Sequence, residues 1–434
     1  MKILMFGWEF PPNISGGLGT ACYGLTKGLT SLDGVDLIFV VPKVYGNEDD
    51  AGIKLIGAGD VELSRTTLLK QRKLEMRKSP GPGQQISAYI TPKQYNELQE
   101  KKMMLVNDKL KKNTSSGRLE FAGKYGSDLF NEISRYAVVA SEIAENEPHD
   151  VIHAHDWLTY PAGIAAKKVS GNPLIVHVHS TEYDRSGENP DINVYEVERR
   201  GMEVADKVVT VSDFTRNIVI GKYNIDPSKI ITVHNAVDTA IRIPSAKLHR
   251  KEPKDKIVTF LGRITKQKGP EYFVRAAYKV LQKMDNVRFV MAGSGDMMED
   301  MIKLAARLRI ADRFHFTGFL KGDDVTRMFA MSDLYVMPSV SEPFGISPLE
   351  AMQNNVPVII SKQSGVSEVI THALKVDFWD IDHMADAIYG ILNYPSLGEY
   401  MKKNSLKEVN NLRWIKAAER VKEIYYHLIC CKAG

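Results

Sequence analysis

Cysteine is scarce in this chain. Cys22, Cys430 and Cys431 are the three in 434 residues, too few for a disulfide framework and without metal-ligand spacing. A reducing compartment, and with it a cytoplasmic location, is the default expectation. Long apolar runs are also missing. The run at residues 37–41 is strand-sized, and the one at residues 2–6 is cut short by Glu9, Pro11 and Pro12, so neither a membrane span nor a signal segment is expected. No charge predominates: 57 basic against 53 acidic side chains leave a net +4, which gives no argument for a nucleic-acid partner. What is present, 44% hydrophobic and 25% charged residues, suits a globular protein, and the length suits two domains.

Short apolar runs alternating with helical patterns predict an α/β protein built from parallel units. Strands at residues 2–7 and 36–41 flank a helix reaching residue 32, and the loop before that helix holds Gly16, Gly17 and Gly19. Bare N–H groups at such a helix start suit a phosphate or a sugar hydroxyl. As a dinucleotide fingerprint the loop is incomplete, because Cys22 stands where the third glycine or alanine belongs, which weakens an NAD-dependent oxidoreductase reading. Residues 44–118 read as a basic surface insertion, with cations clustered between Arg65 and Lys112 around Pro80 and Gly83. That cluster is either a solvated face or a contact for a polyanionic or polymeric acceptor. A short strand within residues 151–157 ends in His153, His155 and Asp156, and the following strand carries His177 and His179. Alternation puts each histidine pair on one face, so they either form a four-histidine metal site or contribute polar tips to a sugar pocket. No carboxylate–histidine helix pattern accompanies them, and no metal is expected. The polar loop with Glu182 follows, and residues 244–253 mark a domain boundary.

In the second half, a strand at 256–261 runs into Gly262-Arg-Ile-Thr-Lys-Gln-Lys-Gly269, which sets Arg263 and Lys268 beside a helix start as a diphosphate trap. Strands at 287–292 and 313–316 end in Gly293-Ser-Gly295 and in Thr317-Gly-Phe319 followed by Leu320, bare edges on which a nucleotide base can lie. The chain is organised around residues 339–350. There a buried strand opens into a loop carrying Glu342, Phe344 and Gly345, and then into a helix whose first turn carries Glu350. Ser347, Pro348 and Glu350 read as a capping box, so Glu350 is either cap or ligand, whereas Glu342 has no cap role. Asp380 and Asp382 suit a helix dipole. Trp414, Ala418, Val421, Tyr425 and Leu428 form a packing stripe.

Taken together, Glu342-x7-Glu350, Arg263-x4-Lys268 and the His155-Asp156 strand end resemble the retaining nucleotide-sugar glycosyltransferases of the glycogen-synthase and sucrose-synthase group, family 4-like. The resemblance covers nearly all of the chain except the basic insertion. It implies a GT-B fold: an acceptor-side Rossmann-like domain at 1–240, a donor domain at 241–412 and a helix at 413–434 returning to the first. It further implies Arg263 and Lys268 on the diphosphate, Glu350 on the ribose and Glu342 on the transferred sugar. Gly293, Phe319, Leu320 and the backbone at Phe344 and Gly345 complete the donor site. On the other side, His155 contacts the sugar, the Gly16-Gly17 loop faces the phosphate and the acceptor, and Asp156 and Glu182 lie toward the acceptor. No permanently bound cofactor is implied; UDP-glucose or ADP-glucose is the donor substrate. Gly16-Gly-Leu-Gly19 and His153-Ala-His-Asp-Trp157 look most like glycogen synthases. Ile14 and Thr20 depart from the lysine and acid that bacterial glycogen synthases carry there, which leaves nucleotide and acceptor open. A sucrose-type, surface-polysaccharide or lipid-linked acceptor is the alternative, with a same-fold phosphorylase or a nucleotide-sugar epimerase more remote.

Overall fold

The computed structural model describes residues 1–13, 16–48, 52–64, 67, 117–123, 125–126, 128–238 and 255–433. The basic cluster between Arg65 and Lys112 falls outside these residues, apart from position 67, and so does the boundary stretch at 244–253.

Two wholly parallel sheets form the framework. In the first, β1 (Lys2–Phe6), β2 (Asp36–Val41), β3 (Lys54–Gly57), β4 (Val151–His155), β5 (Leu174–Val178), β6 (Lys207–Thr210) and β7 (Ile230–Thr232) lie in the order β3-β2-β1-β4-β5-β6-β7. In the second, β8 (Lys256–Leu261), β9 (Val287–Ala292), β10 (Phe314–Gly318), β11 (Leu334–Met337), β12 (Val358–Ser361) and β13 (Leu374–Val376) lie in the order β10-β9-β8-β11-β12-β13. Strands covered on both faces need apolar side chains in both directions, which is why β2 reads Asp-Leu-Ile-Phe-Val-Val with five buried residues in a row. Strand β3 corrects one expectation. Residues 54–57 lie within the stretch read as an insertion, yet they pair with β2 as an edge strand, too short and too polar at its start to stand out in sequence.

Both strand orders reverse direction at one point, between β1 and β4 and between β8 and β11. Loops leaving the carboxyl ends of neighbouring strands part there, which opens a crevice. The final helix, Trp414–Ala433, packs against Gly17–Thr30 and joins the apolar layer under the first sheet through Trp414, Ala418, Val421 and Tyr425. Gly24 permits this contact: a Cβ there would sit 2.2 Å from the Trp414 ring.

Candidate active site

At the β8/β11 reversal, a short turn at Lys266–Lys268 ends at Gly269, whose φ of +65° is a left-handed conformation that side chains disfavour. A Cβ at Gly269 would lie 2.1 Å from the Pro338 carbonyl, so glycine is what lets this turn close on the end of β11. The Val340 N–H then donates to the Gln267 carbonyl at 2.9 Å. The result is an ion pair, Lys268 Nζ to Glu342 Oε2 at 2.5 Å, with the side chains only 21% and 9% exposed. Shielding to that degree sets this pair apart from an ordinary surface bridge. Ser339 donates to the same carboxylate oxygen at 3.2 Å, while the Glu342 backbone is pinned by Gln363 and Gly365.

Arg263 stands exposed at the end of β8, its guanidinium without an ion-pair or hydrogen-bond partner among the described residues. Glu350 lies half-buried in the first turn of Ser347–Gln353. Its carboxylate has no partner among the described residues, and burial raises its pKa. The expected capping box does not form. Ile346 occupies the N-cap position in helical conformation, and Ser347 pairs instead with the buried Tyr335 hydroxyl at 2.8 Å. The buried phenol also donates to the Leu261 carbonyl at 3.2 Å, and the Ser347 hydroxyl completes its hydrogen bonding instead of capping an already helical first turn.

Gly293 departs from its expected role as open backbone for a base. Its N–H donates to the Gly318 carbonyl at 2.8 Å, and the place of its missing Cβ is taken by the Gly262 carbonyl at 1.8 Å. It serves to interlock the loops after β8, β9 and β10. Phe319, 53% exposed, carries Lys321 Nζ 5.5 Å from its ring centre, and Leu320 packs on the core beside it. The Phe344 ring is core, but its carbonyl is used by Val366, and Gly345 holds φ +98°.

In the first half, after β1, Gly16 and Gly17 are exposed at the start of Gly17–Thr30, with neither a side-chain cap nor an acid in the first turn. The other residues expected on this side are turned inward. His155 is completely enclosed, its Nδ1 2.9 Å from His179 Nε2, so it offers no edge to a sugar. Asp156, at φ +59°, accepts from the His179 and Ser180 N–H groups at 2.7 and 3.2 Å. Burial pushes its pKa up to about 7 against the opposing Arg185 charge. Glu182 binds Arg185, Ser186 and the Asp191 N–H, which leaves nothing for an acceptor. The claims on them differ: Arg185 holds Glu182 and also grips Glu198, the His179 and Ser180 N–H groups hold Asp156, and His179 holds His155. His153, His155, His177 and His179 stack with ring centres 4.3–5.3 Å apart, and burial lowers the pKa of each. Five of their ring nitrogens have no hydrogen-bond partner.

Residues that sequence reasoning passed over join the two halves beside Glu342. Ser341 donates to Asp184 at 2.5 Å, Ser212 donates to the Pro343 carbonyl at 2.5 Å, and the Glu368 carboxylate receives the Asp213 and Phe214 N–H groups at the start of Asp213–Tyr223. Ser212 also accepts from the Thr215 N–H as the cap of that helix, while the carbonyl it donates to belongs to a residue 131 positions away.

Comparison with known proteins bears on this arrangement. Residues 244–408 match the family Glycosyl transferases group 1, and residues 118–241 match Glycosyltransferase Family 4. A D-inositol 3-phosphate glycosyltransferase of Mycolicibacterium paratuberculosis is 31% identical over 310 residues, 66% of this chain and 69% of that protein. This chain belongs to the group 1 glycosyltransferases. As such it is a hexosyltransferase that uses a nucleotide sugar, and its two facing Rossmann-like domains are the GT-B fold. An uncharacterized glycosyltransferase of Methanocaldococcus jannaschii is 27% identical over 443 residues, 98% of each chain. In fold, the glycosyltransferase resembles the sucrose-phosphate synthase of Thermosynechococcus elongatus, with a TM-score of 0.73 at 18% identity over 99% of each chain. It also resembles Anabaena HepE in complex with UDP and glucose, with a TM-score of 0.66 at 16% identity over 98% of this chain and 100% of that one.

Proposed function

We propose that this glycosyltransferase moves glucose, with retention of configuration, from UDP-glucose or ADP-glucose to an α-glucan, in the manner of a glycogen synthase. The observation that carries the donor half of this reading is the shielded Lys268–Glu342 pair beside the free Arg263, where the strand order reverses. Cleaving a glycosyl–diphosphate bond gathers negative charge on the leaving phosphate and positive charge on the sugar. Arg263 and Lys268 are cations preset for the former, and Glu342 is an acceptor for the sugar hydroxyls. The ammonium then has two claimants, carboxylate and phosphate, and its position between them keeps it oriented before substrate arrives. Glu350, partnerless at a helix start, receives the ribose hydroxyls. The Gly16-Gly17 helix start offers N–H groups to phosphate or acceptor. His155 and Asp156 act from behind, through His179 and its backbone, as positioning residues. The leaving phosphate oxygen takes the acceptor proton on the same face, so no protein base is required.

A second acceptor class, a phosphorylated polyol, is favoured by one observation: the relatives named D-inositol 3-phosphate glycosyltransferases match 65–74% of this chain. A donor panel of UDP-, ADP- and GDP-sugars, with glycogen or with inositol phosphate and following nucleotide release, separates the two. Glycogen-dependent release supports the glucan reading, and release only with the phosphorylated polyol replaces it. The anomeric configuration of the product, read by NMR, tests retention.

A further inference from the structure

We propose that His153, His155 and His177 form a buried site for one first-row transition cation of the zinc class, lying beneath the acceptor-side half of the enzyme and distinct from the donor pocket. The backbone sets the triad. His155 stands directly opposite His177 in the β4–β5 register, and His153 is two residues back on the same face of β4. Neighbouring strands are about 4.8 Å apart, so three adjacent positions of one face project three imidazoles into one volume. One ring nitrogen from each lies within 4.8 Å of the other two.

The hydrogen bonding divides the rings in the way that metal ligation requires. His153 Nδ1 meets the Tyr425 hydroxyl at 2.5 Å and His155 Nδ1 meets His179 Nε2 at 2.9 Å, while Nε2 of both rings is unpartnered. His177 has neither nitrogen engaged. These three side chains are 0%, 0% and 2% exposed. A ligating imidazole gives one nitrogen to the metal and anchors the other on a second residue, and here Tyr425 and His179 are those anchors.

An all-imidazole set suits zinc, copper or nickel rather than magnesium or calcium. Metal–nitrogen distances of about 2.0–2.1 Å require the stacked rings to turn about Cβ–Cγ until their free nitrogens converge. Cys22 with His155 and His179 makes an adjoining group that shares His155 with the triad. A cation here would tie β4 and β5 to the returning helix that carries Tyr425, under the strand end where Asp156 turns the chain.

The test uses the full chain without an affinity tag, stripped with a chelator and titrated with Co²⁺ by visible absorption and with Zn²⁺ by calorimetry. One cation per chain with a tetrahedral Co²⁺ spectrum is expected, along with a rise in Tm on Zn²⁺ addition. His177→Leu should abolish both signals. His234→Ala, which disrupts the separate surface group of Asp213, His234 and Glu368, should leave both unchanged. Tyr425→Phe keeps the fold and should weaken binding by about 10–100-fold. The proposal is overturned by absence of stoichiometric uptake, by unchanged affinity in His177→Leu, or by loss of binding in His234→Ala. Should His177→Leu fail to fold by circular dichroism, unchanged affinity in Tyr425→Phe overturns it.

Discussion

Replacing Lys268 with methionine removes the ammonium and keeps most of the side-chain volume, which makes it the sharpest probe of the proposed donor site. Glu342 would be left as a 9% exposed carboxylate with the Ser339 hydroxyl as its remaining side-chain partner. Exposed pairs contribute about 0–1 kcal/mol, and breaking a fully buried pair costs about 3–5. Intermediate shielding places this one near 2 kcal/mol, or roughly 4–8 °C in Tm for a domain of this size. The catalytic loss is separate. Removing one preset charge from a developing phosphate lowers kcat by about 10²–10³. The double variant Lys268→Met/Glu342→Gln discriminates between these effects, because it relieves the stranded carboxylate without restoring the cation. Its Tm should recover most of the deficit while turnover, followed by nucleotide release, stays at or below that of the single variant. The reasoning fails if Lys268→Met retains turnover within tenfold of the parent, or if the double variant recovers activity along with stability.

Other expectations follow from the same geometry. Glu350→Gln should be more stable than the parent at neutral pH. Burial raises the Glu350 pKa, so the folded state is favoured while that group is protonated and loses the contribution as pH rises through the folded value; the advantage of the variant should vanish near pH 4, by thermal melts across pH. Gly269→Ala places a Cβ 2.1 Å from the Pro338 carbonyl at φ +65°, which should cost about 2–4 kcal/mol and lower activity by displacing Lys268, measured by denaturant unfolding and donor turnover. Ser212→Ala loses the cap on Thr215 and the bond to the Pro343 carbonyl, about 1–2 kcal/mol, and should lower kcat/KM because the Glu342 loop loses its hold on the other half. Gly24→Leu should release the last helix from its seat, exposing Trp414 to a fluorescence quencher.

Where local pattern and tertiary need agreed, the chain was readable. Strands β2, β8 and β9 have the bounds expected from their apolar runs, and Asp380 and Asp382 stand at the start of the helix Ile381–Asn393, where acids suit its dipole. Legibility failed where a polar residue had more than one claimant. Ser347 looked like an N-cap, but the Tyr335 hydroxyl captured it, because the burial of that hydroxyl comes from packing. Glu182 and Asp156 looked like acceptor ligands, but Arg185 and two backbone N–H groups absorb them. No spacing rule reveals a bond such as Ser341 to Asp184, 157 positions apart.

By itself, the sequence determined the alternation of strands and helices, the parallel two-sheet class and the identities of Arg263, Lys268, Glu342 and Glu350. These depend on local periodicity and on residue types placed at strand ends, which short-range sterics and burial dictate. Tertiary structure alone decided how those groups are buried and which partners they meet. Register set His155 opposite His177 and enclosed both, the left-handed Gly269 brought Lys268 onto Glu342, and the returning helix laid Tyr425 against His153. Each is a distance between residues remote in sequence, fixed by how the two sheets and their covering helices pack.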